Sequence, residues 1–350
     1  MGDVPDEPAG TPASPEGGAV RREAVLEALR RFGIAEARVR VLPRGSRRAP
    51  KFLVEHRGVR LLLKRRRPNG GAASELGAEI QAALAERGFR VPAIRRDLEG
   101  RSVAVVEGAA WELVEFVEGD RYPRTAKAAS SAGAMLATLH RALEAMWTPE
   151  VRHASYHDSP LVRRTLEGVA EDAAASLDAD RLRQVKRFAD RYEHAAAAVR
   201  PVWPEIPRSL LHGDFHPGNL LFDEEQVVAV LDWEAVREDA PLAEFASAAF
   251  HFALPPKLLA EDAPLPDGLR LDLLAAFAAG YGGVPAGLGG IVVELAAEAA
   301  IAEAGFLLAG VSDGGRLRRI VEAIESMLRS LEDHRDAIVR SIERPRRETP

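Results

Sequence analysis

The spacing of apolar residues divides the chain into two textures. From Val20 to Phe32, the side chains Val25, Leu29 and Phe32 share one face at helical spacing, and Gly33 follows as a stop signal. Short strand-like runs come next, at Val39–Leu42, Phe52–Glu55 and Val59–Lys64, with Gly45 and Arg57-Gly58 as turn residues. A helix is predicted from Ser74 to Arg87, with Leu76, Ile80, Ala83 and Leu84 on one stripe and Gly88 at its end. Strand character returns at Val103–Val106 and Trp111–Val117, with Glu99-Gly100 read as a hairpin turn. Beyond Gly119 the pattern becomes helical. Helices are predicted over 126–143, 161–177, 181–199, 242–254, 268–280, 290–309 and 315–340. They are interrupted by a loop from His212 to Asn219 and by two short apolar runs, 220–222 and 227–231.

This order predicts an α+β chain with a strand-rich N-terminal lobe over 19–118 and a larger, mainly helical C-terminal lobe over 119–340. Residues 1–18 hold four Pro, four Gly and four acids without apolar periodicity and read as a disordered tail; 341–350 read as a flexible one. Composition narrows the function classes. Hydrophobic residues make up 47% of the 350, enough for a sizeable core. There are 47 basic and 53 acidic residues, a net charge of −6, which argues against a general nucleic-acid partner. The basic run over 38–67 has only Phe52 as an interleaved aromatic, so phosphate attraction or a solvated face accounts for it better. The chain has no Cys, which excludes disulfides, thiolate zinc sites and a cysteine nucleophile. No apolar run approaches the ~18 residues of a membrane span, and no signal-peptide pattern opens the chain, so no membrane partner and a cytoplasmic location are expected.

The chemistry concentrates in Leu210–Glu234, LLHGDFHPGNLLFDEEQVVAVLDWE. Two short strands joined through Asp223-Glu224-Glu225-Gln226 would bring Asp232 back to the level of Asn219. A carboxylate and an amide oxygen facing one site suit a hard cation such as Mg²⁺. Asp214, on the loop just before, would accept a proton from a substrate hydroxyl. His212-x-Asp214-x-His216 with Asp232 can also be read as the metal cluster of a phosphoesterase. Trp233, Trp111, Trp147 and Trp203 read as packing residues, and His140 as a core-facing histidine.

HGDFHPGN followed by LDW resembles the aminoglycoside phosphotransferase, choline kinase and homoserine-kinase-like family of small-molecule kinases. The resemblance implies a protein-kinase-like bilobal fold, ATP and Mg²⁺ as cofactors, and a small-molecule hydroxyl as acceptor. It assigns Asp214 as the catalytic base, Asn219 and Asp232 as metal ligands, and His212 as a brace of the loop, with His216 also read as structural support. In the N-terminal lobe it implies Lys64 as the cation on the nucleotide phosphates, paired with Glu79, or alternatively Glu75. The phosphate-covering loop would be 42–50, with backbone N–H groups of Gly45 and Ser46, and the adenine hinge would lie near Glu115 and Val117. Family members often carry Asp-Leu-Ala after the second metal-binding Asp; here Ala243-Glu244-Phe245-Ala246 stands instead, so Glu244 either substitutes at greater reach or leaves the loop looser. Glu294, Glu298 and Glu303 offer an acidic helix face for a polycationic acceptor, or a solvated one. Amino alcohols, sugars and aminoglycosides stay open as acceptors, choline ranks low because aromatics are 6%, and ATP versus GTP and the oligomeric state are unreadable. A nucleotide-binding pseudokinase, the phosphoesterase and a protein kinase are the competing readings.

Overall fold

The computed structural model describes residues 20–42, 50–66, 71–146, 155–173, 179–256, 268–309, 311 and 313–344. The chain divides into two compact units: residues 1–87 with 92–117, and residues 88–91 with 118–350.

The first unit contains α1 (Arg22–Arg31), β1 (Arg38–Leu42), β2 (Lys51–His56), β3 (Val59–Arg65), α2 (Gly71–Glu86), β4 (Ile94–Arg95), β5 (Ala104–Val106) and β6 (Ala109–Glu115). The strands form one sheet in the order β1-β2-β3-β6-β4, with β5 also pairing β6. Its antiparallel register sets Leu63 opposite Leu113 and Lys64 opposite Glu112. Apolar side chains alternate onto one face, where Val54, Leu61, Leu63, Trp111 and Leu113 pack with Ala28 and Leu29 of α1. The hairpin turn between β5 and β6 is Glu107-Gly108, both with positive φ (51° and 74°). That geometry matches the right-handed twist of the flanking strands. Glu99-Gly100, expected as the hairpin turn, instead closes a loop over Asp97, whose carboxylate accepts the N–H groups of Glu99 and Arg101.

The second unit contains α3 (Ala126–Glu144), α4 (Pro160–Ala173), α5 (Ala179–Val199), β7 (Ser209–Leu211), β8 (Leu220–Asp223), β9 (Gln226–Val230), β10 (Arg237–Asp239), α6 (Pro241–Ala253), α7 (Leu271–Tyr281), α8 (Gly289–Leu308), α9 (Gly314–Asp333) and α10 (Arg335–Ile342). The single helix expected over 315–340 is two. His334 leaves helical geometry (φ −109°, ψ 13°), and Arg335 then bonds Glu294 and the Gly290 carbonyl on α8. Helix α8 is central, and every residue from 292 to 302 is buried. No helix among the described residues is long and apolar enough to cross a membrane.

Helices α3 and α7 touch backbone to backbone. A Cβ on Gly133 would lie 2.0 Å from the Phe277 carbonyl oxygen, and one on Gly280 would lie 1.9 Å from that of Ser130. Helix α3 also packs against β7 and β9, the strands that lead into and out of the site, so this crossing sets where the site sits. Gly280→Ala is therefore expected to lose roughly 1–3 kcal/mol in chemical denaturation, despite alanine's better helix propensity. An unchanged midpoint would contradict the close approach.

Candidate active site

Strands β7 and β10 pair antiparallel, with Leu211 opposite Arg237, and the chain leaves β7 into the loop 212–219. Strands β8 and β9 form a hairpin in which Leu220 faces Val230 and Asp223 faces Gln226. The Leu231 N–H donates to the Asn219 carbonyl at 2.8 Å, so Asp232 follows immediately beside Asn219's level. Asp232 has left-handed backbone geometry (φ 65°, ψ 73°), which a short polar side chain tolerates better than most.

The loop is held from beneath. His212 is fully buried (0% exposed); its Nε2 lies 3.0 Å from the Leu231 carbonyl and its Nδ1 accepts the Asp214 N–H at 3.3 Å. A carbonyl can only accept, so Nε2 carries the proton. Burial holds the imidazole pKa below its ordinary value, against the pull of Glu244 and Asp214. With both nitrogens engaged, His212 cannot ligate a metal, which corrects the metal-cluster reading. Among the described residues no group of three or more His, Asp or Glu is arranged to hold a metal ion. The Trp233 ring packs edge-on against His212, with centroids 4.7 Å apart.

Gly213 has φ 83°, and a Cβ there would lie 1.9 Å from the Ala235 carbonyl oxygen. Its N–H donates to Glu244 and its carbonyl accepts from Arg237. The other Glu244 oxygen accepts from His140 Nε2 at 2.9 Å, and Tyr281 Oη lies 2.9 Å from the far ring nitrogen. Burial favours the neutral acid at Glu244, but the His140 bond and the nearby His212 and Arg237 outweigh it and hold the carboxyl below its ordinary pKa. Glu244 thus braces the loop at the longer reach of a glutamate.

Asp214 stands on this braced peptide. The Asn219 amide Nδ2 donates to the Asp214 carbonyl at 2.9 Å and to its Oδ2 at 3.0 Å. His216 Nδ1 accepts the Gly218 N–H at 2.9 Å, which leaves the proton on Nε2, 3.6 Å from Asp214 Oδ2. Burial pushes the Asp214 carboxyl up, yet His216, His212 and the Asn219 amide prevail and hold it well below the usual carboxylate range. Both partners of the Asn219 amide nitrogen are acceptors, so the amide orientation is fixed and its Oδ1 remains as an oxygen donor. Together with the Asp232 carboxylate this is an all-oxygen pair, the donor type a hard divalent cation takes.

Beside Asp214 lies a polar pocket lined by Tyr156, Phe215, His216, Arg237, Ser247, His251 and Glu303 along with the braced loop. His251 Nε2 meets Glu303 Oε2 at 2.7 Å. Burial works against the charged imidazole, but Glu303 outweighs it and the His251 pKa is raised. The Arg237 guanidinium lies 5.0 Å from the centroid of the Tyr156 ring.

Several expected positions come out differently. Glu79 does not serve Lys64 in the way expected: α2 sets it against the β4–β5 loop, where its carboxylate takes Arg96 at 3.0 Å and Ser102 at 2.5 Å. Lys64 is buried on β3. Glu115 donates its N–H to the Ala93 carbonyl at 2.8 Å, so that donor is closed to a ligand, whereas Val117 lies beyond the end of β6. Gly45 and Ser46 lie outside the described residues, as does Trp147. The acidic face on α8 is not one surface. Glu294 pairs with Arg191 and Arg335, Glu298 with His157, and only Glu303 reaches the pocket. Tyr156, Arg237, Ser247 and His251 were not foreseen as site residues. The one hint was His251 itself, a histidine between Phe250 and Phe252 in an apolar helix.

A model of the phosphotransferase enzyme family matches residues 39–289. The chain belongs to the phosphotransferase enzyme family. It is 28% identical over 229 residues to acyl-CoA dehydrogenase family member 11 of Gallus gallus, covering 60% of this chain and 27% of that protein. It is 22% identical over 152 residues to the homoserine kinase of Zymomonas mobilis, covering 43% and 44%. The chain thus spans less than half the length of these curated relatives. Among solved structures, the microcompartment-associated aminopropanol kinase superposes with a TM-score of 0.67 at 18% identity, covering 90% of this chain and 98% of that one. The fold is that of this kinase-like family.

The raised His251 pKa carries a sign. A proton held more tightly in the folded chain adds stability below the ordinary imidazole value of ~6.5, and that contribution is lost as pH rises through the folded value. Thermal unfolding followed from about pH 6 to about pH 9 should show this loss in the wild type and a flatter profile in Glu303→Gln. Identical slopes in the two proteins would contradict the pairing.

Proposed function

We propose that this protein transfers the γ-phosphoryl group of ATP to a hydroxyl of a small molecule. The observation that carries the reading is the braced, ionised Asp214 beside a polar pocket, with Asn219 and Asp232 at one level of the adjoining hairpin. Asn219 Oδ1 and the Asp232 carboxylate would hold Mg²⁺, which supplies charge neutralisation at the nucleotide phosphates when bound. Lys64 would hold those phosphates from β3, and the backbone of Val117 would take the adenine edge.

Asp214 aligns the acceptor hydroxyl and takes its proton. Its Oδ2 is engaged by Asn219, and His216 lies on the same side, so Oδ1 is the receiving atom. Its low pKa keeps it ionised at neutral pH, and the rigid Gly213 peptide holds it in place. Most of the rate enhancement in such transfers comes from positioning and electrostatics rather than from the strength of the base. Glu294 is taken by Arg191 and Arg335 and Glu298 by His157, so these two carboxylates are not offered to a polycationic acceptor. The Glu303 carboxylate lines the pocket, which suits an acceptor that carries an amine, such as an amino alcohol.

Asp214→Asn should lower kcat by about 10²-fold or more while Mg·ATP affinity stays near that of the wild type. Wild-type-like turnover would sink the base assignment. Mg·ATP should raise the melting temperature of the wild type, and Asp232→Ala should abolish the metal-dependent part of that rise. A rise that persists unchanged in Asp232→Ala removes this residue from the metal site.

A further inference from the structure

The polar pocket beside Asp214 has an apolar edge. Tyr156 lines the pocket, and its ring lies 6.5 Å from that of Phe306 on the last turn of α8. Phe306 is 40% exposed, Leu307 44%, and Leu161 at the start of α4 is 50%. These three are the large exposed apolar side chains among the described residues of the second unit. The C-terminal end of α8 packs on α4, since a Cβ on Gly305 would lie 3.1 Å from Leu166. Singly exposed apolar residues are ordinary. Here one of them touches an aromatic that lines the candidate acceptor site.

The segment that presents Tyr156 is held at every residue. The Tyr156 carbonyl accepts from Tyr192 Oη, which in turn accepts the Ser159 N–H at 2.7 Å. His157 Nδ1 lies 2.9 and 3.0 Å from the two oxygens of Glu298, and both side chains are buried. The His157 ring also packs on Trp203, with centroids 4.2 Å apart. Asp158, with φ 52°, is bound by Arg163 and Arg200. The proposed phosphoryl transfer needs none of these side chains directly. Their shared effect is to fix the Tyr156 ring against Arg237, which covers one of its faces. Meanwhile Glu303 has one oxygen on His251, and its other is available to a donor group in the pocket.

We propose that Tyr156 and Phe306 form the apolar wall of the acceptor site, and that the acceptor is a small amino alcohol carrying an aromatic or similarly bulky apolar substituent. The hydroxyl meets Asp214, the amine meets Glu303, and the substituent lies on the two rings. The proposal rests on the reading of Asp214 as the base and narrows the substrate class of the same site. Aromatic surface removed from water on binding adds affinity in proportion to its area. An acceptor with a phenyl group should therefore outbind one with a methyl group at the same position.

The test compares 2-amino-1-phenylethanol with 1-amino-2-propanol, which share the amino alcohol and differ in that substituent. Binding to the full chain in the presence of Mg·ADP is measured by titration calorimetry, and turnover with Mg·ATP by ADP release. The phenyl compound should bind at least about tenfold more tightly, the order expected for covering a ring instead of a methyl group. In Phe306→Ala, an exposed position whose truncation leaves the core intact, the ratio of the two affinities should fall towards one. Tyr156→Phe should keep the preference and Tyr156→Ala should lose it. For the phenyl compound the loss should appear in KM rather than kcat. Equal affinities, no binding of either compound at millimolar concentration, or a preference that survives Phe306→Ala each overturn the wall. Preferred binding of the phenyl compound without ADP formation would overturn the kinase reading and leave the wall standing. ADP formation without preference would do the reverse.

Discussion

Everything at the site depends on one buried carboxylate. Glu244 lies on the first turn of α6 with almost no exposure, and an ionised group there is costly unless its oxygens are bonded. One oxygen holds the Gly213 N–H and the other holds His140. The Gly213 carbonyl is held from the opposite side by Arg237. The peptide that carries Asp214 is thereby fixed at both ends. It also requires glycine, because any Cβ would run into the Ala235 carbonyl. Both oxygens of the Glu244 carboxylate are bonded, which is the condition under which a buried charge rigidifies a fold instead of weakening it.

The same logic extends along α8. Its three glutamates are each met by a cation or an imidazole from a distant part of the chain: Glu294 by Arg191 and Arg335, Glu298 by His157, Glu303 by His251. The first pair ties α5 and α10 to the central helix. The second fixes the segment before α4, and the third reaches the pocket. Stability and site geometry are thus carried by one helix. Each of these contacts acts as a connector between elements more than as a source of net stability, since even a buried ion pair adds little of its own.

The local features were legible in the sequence and the long-range ones were not. The β8–β9 hairpin follows from apolar runs flanking Asp223–Gln226, and its register alone puts Asp232 beside Asn219. Helices α3 and α6 follow from their apolar spacing. Strand β10 has no apolar signature, because Arg237-Glu238-Asp239 is charged throughout and pairs with β7 only through tertiary context. Glu79 sits at a suitable place on α2, but its partner is chosen by Arg96, seventeen residues later, on a loop whose course the sequence does not reveal. Glu294 and Glu298 look solvated at i,i+4 spacing because nothing local announces Arg191, Arg335 or His157. Tyr156 was invisible for the same reason, since its place in the pocket is set by Tyr192 and Glu298 rather than by its neighbours in sequence.

The central claim is that a phosphoryl group moves from ATP to a hydroxyl poised at Asp214. The most direct measurement is a ³¹P NMR spectrum of the protein incubated with Mg·ATP and a mixture of small amino alcohols. The account predicts a new phosphomonoester resonance that grows in step with ADP. Inorganic phosphate alone, or ATP left unconsumed, would contradict it.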